Sequence, residues 1–182
     1  MSDPNAEKPY PSWLESIERL RDGTEVRLRP LKPEDEPLLV DLAAHMTPED
    51  LRLRFFAAVR DLSHAIAARL SQLDYDRGVA LLAEKDGVAL GVVRFHAEQD
   101  RKRAEYAIAV RSDWKGHGLG YLLMTRLIAV AREWGVEELF GEVLRENHRM
   151  LAMCRELGFA IASDPNDATL MLVRKKLADG TD

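Results

Sequence analysis

The chain has 182 residues, of which 46% are hydrophobic and 31% charged, so it is long enough for one domain with a packed core but too short for two large ones. Its formal net charge of -5 argues against nucleic acid as a partner, because a nucleic-acid-binding surface carries excess positive charge. The sequence has a single cysteine and an N-terminus unlike a signal peptide, and no apolar run approaches the roughly 20 residues that span a bilayer. These features predict a cytoplasmic protein that does not enter membranes.

The N-terminal segment, residues 1–20, is expected to be a flexible or partly helical lead-in. Its beginning is polar and rich in proline, and four apolar residues then follow at helical spacing: Trp13, Leu14, Ile17 and Leu20. The turn dipeptide Asp22-Gly23 would end this helix. We assign residues 21–178 to the folded domain.

The first half of the domain is predicted to combine one strand with a block of helices. Residues 26–29 alternate as a strand does, whereas residues 33–45 have helical spacing. Thr47 followed by Pro48 is a typical helix start, and a further helix is expected from Ser63 to about Leu73.

A three-stranded meander is predicted next. Residues 79–83 and 90–95 are apolar runs separated by Asp86-Gly87, a pair that favours a type I′ hairpin turn. Residues 104–110 form the third strand of the meander, after a charged loop.

The second half of the domain alternates helices with strands. An apolar stripe runs from Leu119 to Trp134 and stops at Gly135, a residue suited to the left-handed position after a helix. The remaining predicted elements are a strand, a helix and two strands, at 139–144, 147–157, 160–162 and 169–176. This order of elements predicts a three-layer α/β domain, with a central mixed, mostly antiparallel sheet of about seven strands flanked by helices.

The segment with the clearest chemistry lies between the strand at 104–110 and the helix from Leu119. It reads Lys115-Gly116-His117-Gly118-Leu119-Gly120, with glycines at alternate positions where the helix begins. A helix start presents unpaired N–H groups and the positive end of the helix dipole, so this segment is typical of an anion site, to which Lys115 and His117 add donors. The spacing fits neither the dinucleotide fingerprint, which would need glycine where Tyr121 stands, nor the nucleotide P-loop.

This segment resembles the pyrophosphate motif of the GNAT acetyltransferases, R/Q-x-x-G-x-G/A, with Lys115 in place of the usual arginine or glutamine. The second signature of that family, an asparagine leading into a helix that ends Leu-Gly-Phe, appears as Asn147 through Leu157-Gly158-Phe159. The resemblance implies acetyl-CoA as cosubstrate, with pantetheine paired to the strand end and pyrophosphate held by the amides of residues 117–120. The cofactor-binding residues that it implies are Ile108, Ala109, Val110, Lys115, Gly116, His117, Gly118, Leu119, Gly120, Tyr121 and Asn147.

Glu105 is the candidate catalytic base. A lysine amine has an ordinary pKa of about 10.4, so it must lose a proton before it can attack a thioester. Strand alternation places Glu105 on one face with Ala107 and Ala109, which leaves room for a ligand beside a carboxylate. Cys154 occupies the position at which many family members have a tyrosine that protonates the departing thiolate, and a cysteine is not expected to do that work.

Several segments are similar to bacterial Pat-type protein lysine acetyltransferases, among them Leu28-Arg29-Pro30 and Ala104-Glu105-Tyr106. This resemblance implies transfer of acetyl to a protein lysine, for example on an acyl-CoA synthetase. A small-molecule amine acetyltransferase and a non-catalytic acyl-CoA-binding sensor are the alternatives that the sequence leaves open. The five histidines show no H-E-x-x-H helix, and no cysteine pair accompanies them, so no metal site is expected.

Overall fold

The structure is a computed structural model that describes residues 8–55, 70–71, 73 and 75–177. Residues 1–7 of the predicted lead-in and most of the helix predicted from Ser63 lie outside the described residues. The described strands are β1 Ser16–Arg19, β2 Glu25–Pro30, β3 Gly78–Lys85, β4 Val88–Ala97, β5 Arg103–Val110, β6 Glu138–Leu144, β7 Ala160–Ser163 and β8 Leu170–Lys176. The main helices of the described part are α1 Glu36–Ala44, α2 Pro48–Phe55, α3 Leu119–Glu133 and α4 His148–Glu156.

The strands form one sheet in the order β1-β2-β3-β4-β5-β6-β8-β7. Every neighbouring pair is antiparallel except β5 and β6, which run parallel. The predicted α/β class and the mixed, mostly antiparallel sheet are confirmed. The sheet has eight strands rather than about seven, and the added strand is β1.

The helix predicted around residues 13–20 is wrong. A short 3-10 turn at Ser12–Leu14 leads instead into strand β1, which pairs with β2 so that Ser16 faces Leu28. Of the apolar residues on which the helix was based, Trp13 and Ile17 are 67% and 64% exposed. Leu14 and Leu20 are buried, so the four residues do not form one buried helical stripe, and main-chain pairing with β2 takes the place of the helix.

The turn between β3 and β4 is as predicted. Asp86 and Gly87 have φ values of +52° and +77°, and a type I′ turn requires positive φ at both central residues. The predicted end of α3 is also confirmed, because Gly135 lies just past the helix with a φ of +81°.

Apolar layers cover both faces of the sheet, and strand β3 shows why. Its residues Val79, Leu81 and Ala83 pack in the larger core, together with the apolar side of α3. The alternate residues Ala80 and Leu82 pack in a second cluster with α1. The sheet is thus the middle of three layers, and strand β3 is buried on both sides.

The parallel strands β5 and β6 separate after a short paired stretch. Their register covers only Arg103 to Glu105 on β5, opposite Glu138 to Phe140 on β6. The ring of Tyr106 lies where they diverge, and a Cβ added to Gly141 of β6 would come within 2.6 Å of its Cε1 atom. The glycine therefore makes the space that the tyrosine ring occupies.

Gly141→Ala should destabilise the protein by about 1–3 kcal/mol, the usual penalty for inserting a methyl group into a packed site. Urea unfolding followed by circular dichroism will measure the change in the free energy of unfolding. The matched control is Gly120→Ala in α3, where the nearest atoms to an added Cβ lie at 3.8 Å and alanine favours the helix. Equal unfolding midpoints for the two variants would contradict this account of Gly141.

Candidate functional site

A cleft of about 780 Å³ opens where β5 and β6 separate. Helix α2, the loop before α3, the first turn of α3 and helix α4 complete its walls. Eleven of the twelve residues predicted from the sequence line it, namely Glu105, Ile108, Ala109, Val110, Lys115, Gly116, Gly118, Leu119, Gly120, Tyr121 and Asn147. The fold thus brings strand β5 together with Asn147, which lies about forty residues further along the chain.

One end of the cleft is formed by backbone that faces open space. Gly116 and Gly118 have φ values of +85° and +83°, and a Cβ added to either would meet nothing within 4 Å. Gly118 precedes the first residue of α3, and no side chain caps the helix there. The free N–H groups of the first turn and the positive end of the helix dipole make this end of the cleft suited to a phosphate.

Lys115 is held by an ion pair rather than left free at this loop. Its ammonium group contacts the carboxylate of Asp50 on α2, which also accepts a hydrogen bond from the Ser112 hydroxyl at 2.5 Å. Burial by itself would raise the pKa of Asp50, but hydrogen bonds from Lys115 and Ser112 outweigh it and hold that pKa below its usual value. Sequence analysis missed Asp50 as a site residue, because its partner Lys115 is 65 positions away.

Two predicted residues have side chains with other partners. His117 is the predicted residue that does not line the cleft: its ring nitrogen Nδ1 lies 3.2 Å from the Asp22 carboxylate, and its ring packs against Trp114. In this structure the His117 side chain therefore pairs with Asp22 rather than lining the cleft. Asn147 does line the cleft, and its Oδ1 atom accepts a hydrogen bond from the Met150 amide at 3.2 Å as the N-cap of α4.

Glu105 is exposed on the wall of the cleft, between groups of opposite charge. Burial lowers the pKa of the Arg54 guanidinium, and the nearby Glu105 carboxylate opposes that shift. Glu142 of β6 also lines the cleft, and its pKa is raised by partial burial and by the carboxylates of Glu105, Asp164 and Asp167. Sequence analysis missed Arg54 and Glu142, although Glu142 is conspicuous as a charged residue within the apolar run of β6.

The sequence profile described as the Acetyltransferase (GNAT) family matches residues 45–159. The chain belongs to the GNAT acetyltransferase family. An acetyltransferase of Pseudomonas aeruginosa, PA5475, is 31% identical over 169 residues, which cover 91% of this chain and 89% of the relative. These matches include both residues 115–120, called the glycine loop below, and helix α4. The cleft therefore lies in the part of the chain that defines the family.

Two comparisons relate this GNAT domain to proteins named Pat. The acetyltransferase Pat of Mycolicibacterium smegmatis is 32% identical over 77% of this chain, but the match spans only 43% of that relative. The crystal structure of the GNAT domain of S. lividans PAT superposes with a TM-score of 0.87 at 27% identity, covering 92% of this chain and 99% of that one. The predicted likeness to Pat-type acetyltransferases is confirmed.

Within the described residues, no helix is both long and apolar enough to cross a membrane. The same residues contain no cluster of three or more histidine, cysteine, aspartate or glutamate side chains arranged to hold a metal ion.

Asp50→Asn should lower the free energy of unfolding at pH 7 by about 1–2 kcal/mol, between the values for exposed and buried ion pairs. Asparagine can still accept from Ser112 but cannot pair with the Lys115 ammonium. Because the folded-state pKa of Asp50 is lowered, its stabilising effect exists above the unfolded pKa and is lost as the pH falls through the folded value.

Urea titrations at pH 7 and at pH 3 will check this expectation, and the difference between wild type and Asp50→Asn should shrink at the lower pH. The control is Asp86→Asn, which removes a carboxylate whose side chain is 89% exposed. If Asp50→Asn is no less stable than Asp86→Asn at pH 7, the ion pair does not stabilise the fold.

Proposed function

We propose that this enzyme transfers the acetyl group of acetyl-CoA to the ε-amine of a protein lysine, with Glu105 as the general base. The observation that carries this proposal is the arrangement of the cleft: a loop suited to phosphate lies at one end, and a carboxylate lies on the strand where β5 and β6 separate. The likeness to proteins named Pat supports a protein acceptor, for which an acyl-CoA synthetase is one candidate. Cytoplasmic location remains part of the proposal.

Acetyl-CoA fits the cleft in an extended form. Among the described residues β5 pairs with β6 only as far as Glu105, so the main chain of Ile108 to Val110 has no strand partner on that side and can bind the pantetheine amides. The pyrophosphate would lie on the amides of residues 117–120, close to Lys115. Asn147 and Tyr121 would line the channel. A fold neighbour, YncA of Salmonella typhimurium, was solved with acetyl-CoA as its cofactor, with a TM-score of 0.66 and 18% identity.

In this proposal Glu105 takes a proton from the acceptor amine. A lysine amine enters as an ammonium ion and attacks the thioester carbon only after it loses a proton. The exposed Glu105 carboxylate can pass that proton to water, and Glu142 adds a second carboxylate to the wall of the cleft. Together these carboxylates favour a cationic acceptor.

A small-molecule acceptor is the second candidate. The L-amino acid N-acyltransferase MnaT of Escherichia coli is 30% identical over 46% of this chain and 51% of that relative. Because both candidates use the same proton transfer, only the identity of the acceptor distinguishes them. A sensor that binds acyl-CoA without catalysis would differ from both in showing no turnover.

Thiol release from acetyl-CoA should be rapid with acyl-CoA synthetases as acceptors and slower with polyamines, aminoglycosides or free amino acids. Mass spectrometry should find the acetyl group on a lysine of the acceptor. Glu105→Gln should lower kcat by about 10²- to 10⁴-fold, because the amide keeps the shape but cannot accept a proton.

Calorimetric titration should show that acetyl-CoA binds Glu105→Gln about as tightly as wild type. An unchanged kcat at saturating acceptor would remove Glu105 as the base. Faster turnover with a small amine than with any protein would favour the second candidate, and tight binding without turnover would favour the sensor.

Gly118→Ala should weaken acetyl-CoA binding, because the new methyl group would lie in the open space above the loop, where the pyrophosphate is proposed to bind. The matched control is Gly135→Ala, since Gly135 has nearly the same φ, +81° against +83°, and also has open space around it. Both variants carry the backbone strain of about 1–2 kcal/mol that a left-handed alanine incurs. Calorimetry should show weaker acetyl-CoA binding for Gly118→Ala alone, and equal affinities would contradict the proposed phosphate position.

A further inference from the structure

Cys154 replaces the helix tyrosine of many family members, yet a tyrosine hydroxyl lies beside it. Cys154 on α4 is fully buried, and its Sγ atom lies 3.4 Å from the hydroxyl of Tyr106. Burial raises the pKa of the Cys154 thiol, so it stays neutral, and it has no exposed surface with which to meet a substrate. The nearest phenol to this position therefore comes from strand β5.

The phenol ring of Tyr106 is held rigidly at the wall of the cleft. Its ring lies above Gly141 and packs edge-on against Phe159 at a centroid distance of 5.7 Å. Tyr106 retains 7% of its surface exposed and is among the residues that line the cleft. Because Tyr106 directly follows Glu105 on the strand, the two side chains lie on opposite faces of the sheet.

We propose that Tyr106 is a catalytic residue whose hydroxyl donates a hydrogen bond to the departing sulfur of CoA, a role that rests on the proposed acetyl transfer. Among the described residues, the partner of this hydroxyl in the ground state is a thiol, which is a weak donor and acceptor. A thiolate is a much stronger acceptor, so the bond strengthens as negative charge develops on the sulfur.

The atoms balance without an added reactant. The amine nitrogen bonds to the thioester carbon, the carbon–sulfur bond breaks, and its electron pair stays on sulfur. The lysine ammonium loses two protons in the course of the reaction. Glu105 passes the first to water before the attack and the second as the amide forms, and the thiolate takes one proton back from water. Burial raises the pKa of Tyr106 well above its ordinary value, so the phenol keeps its proton and acts as a donor throughout.

Two variants remove opposite sides of the same hydrogen bond. Tyr106→Phe should lower kcat by about 10²-fold, the usual effect of losing one donor to a developing charge, with the Kd for acetyl-CoA nearly unchanged. Cys154→Ala removes the sulfur but leaves the hydroxyl, so its kcat should stay within about twofold of wild type. If the bond were only structural, both variants would lose stability and neither would lose kcat selectively.

Tyr106→3,5-difluorotyrosine keeps the ring and lowers the phenol pKa, which covers the case in which Tyr106→Phe does not fold. Its kcat should fall at alkaline pH as the phenol ionises, while wild type should show no such decline. Fluorine NMR will report the ionisation directly. A kcat that stays constant while the phenol ionises would overturn the proposal.

Each rate is measured as thiol release with a protein lysine acceptor and with hydroxylamine, because the sulfur departs in both reactions. Turnover with hydroxylamine but not with a protein lysine would refute the lysine acceptor. The hydroxylamine rates of wild type and Tyr106→Phe would still test the role of Tyr106. A loss in Tyr106→Phe that appears with both nucleophiles supports the proposal, and no loss with either overturns it. Absence of turnover with any nucleophile would overturn both proposals together.

Discussion

The separation of β5 from β6 is the constraint on which the site depends. A sheet normally satisfies each main-chain group through its neighbours, and strands that part leave such groups open along an edge. Here the Tyr106 ring lies against Gly141 of β6, and a side chain at position 141 would displace it. The same ring belongs to the larger core and lines the cleft.

A second feature, the ion pair between Lys115 and Asp50, joins helix α2 to the glycine loop. Arginine or glutamine at position 115 would present a wider side chain, whereas lysine ends in a compact charge that Asp50 can enclose together with the Ser112 hydroxyl. The charge of Lys115 is thus partly neutralised before any phosphate arrives. Lysine at this position ties the loop to α2, and in the proposed binding mode the backbone amides of Gly118 and the first turn of α3 contact the anion.

Local signals explain which parts of the fold could be predicted. Asp86-Gly87, Gly118 and Gly135 each mark a backbone conformation that few other residues adopt, so they place turns and helix ends without knowledge of the rest of the chain. Strand β1 was missed because Trp13 and Ile17 have helical spacing but are exposed, and spacing does not reveal burial.

Long-range contacts explain what the sequence could not show about the site. The glycine loop and Glu105 lie within one short segment, and so a linear pattern finds them. Tyr106 and Cys154 are 48 positions apart, and Asp50 and Lys115 are 65 apart. Such pairs form only when the sheet and helices assemble, and neither residue of a pair carries a local pattern that names its partner.

Strand β5 gives the proposed chemistry a simple geometry. Alternation along a strand sends neighbouring side chains to opposite faces, so Glu105 and Tyr106 lie on opposite faces of the sheet beside the gap while their Cα atoms stay about 3.8 Å apart. A thioester bound in that gap would have the acceptor amine and its base on one side and the departing sulfur with its donor on the other. The reaction needs a base for the nitrogen and a donor for the departing sulfur. Because Glu105 and Tyr106 are neighbours on β5, the strand would set the distance between these two groups. The Tyr106 hydroxyl lies 3.4 Å from the sulfur of Cys154, which stands where many family members have a helix tyrosine.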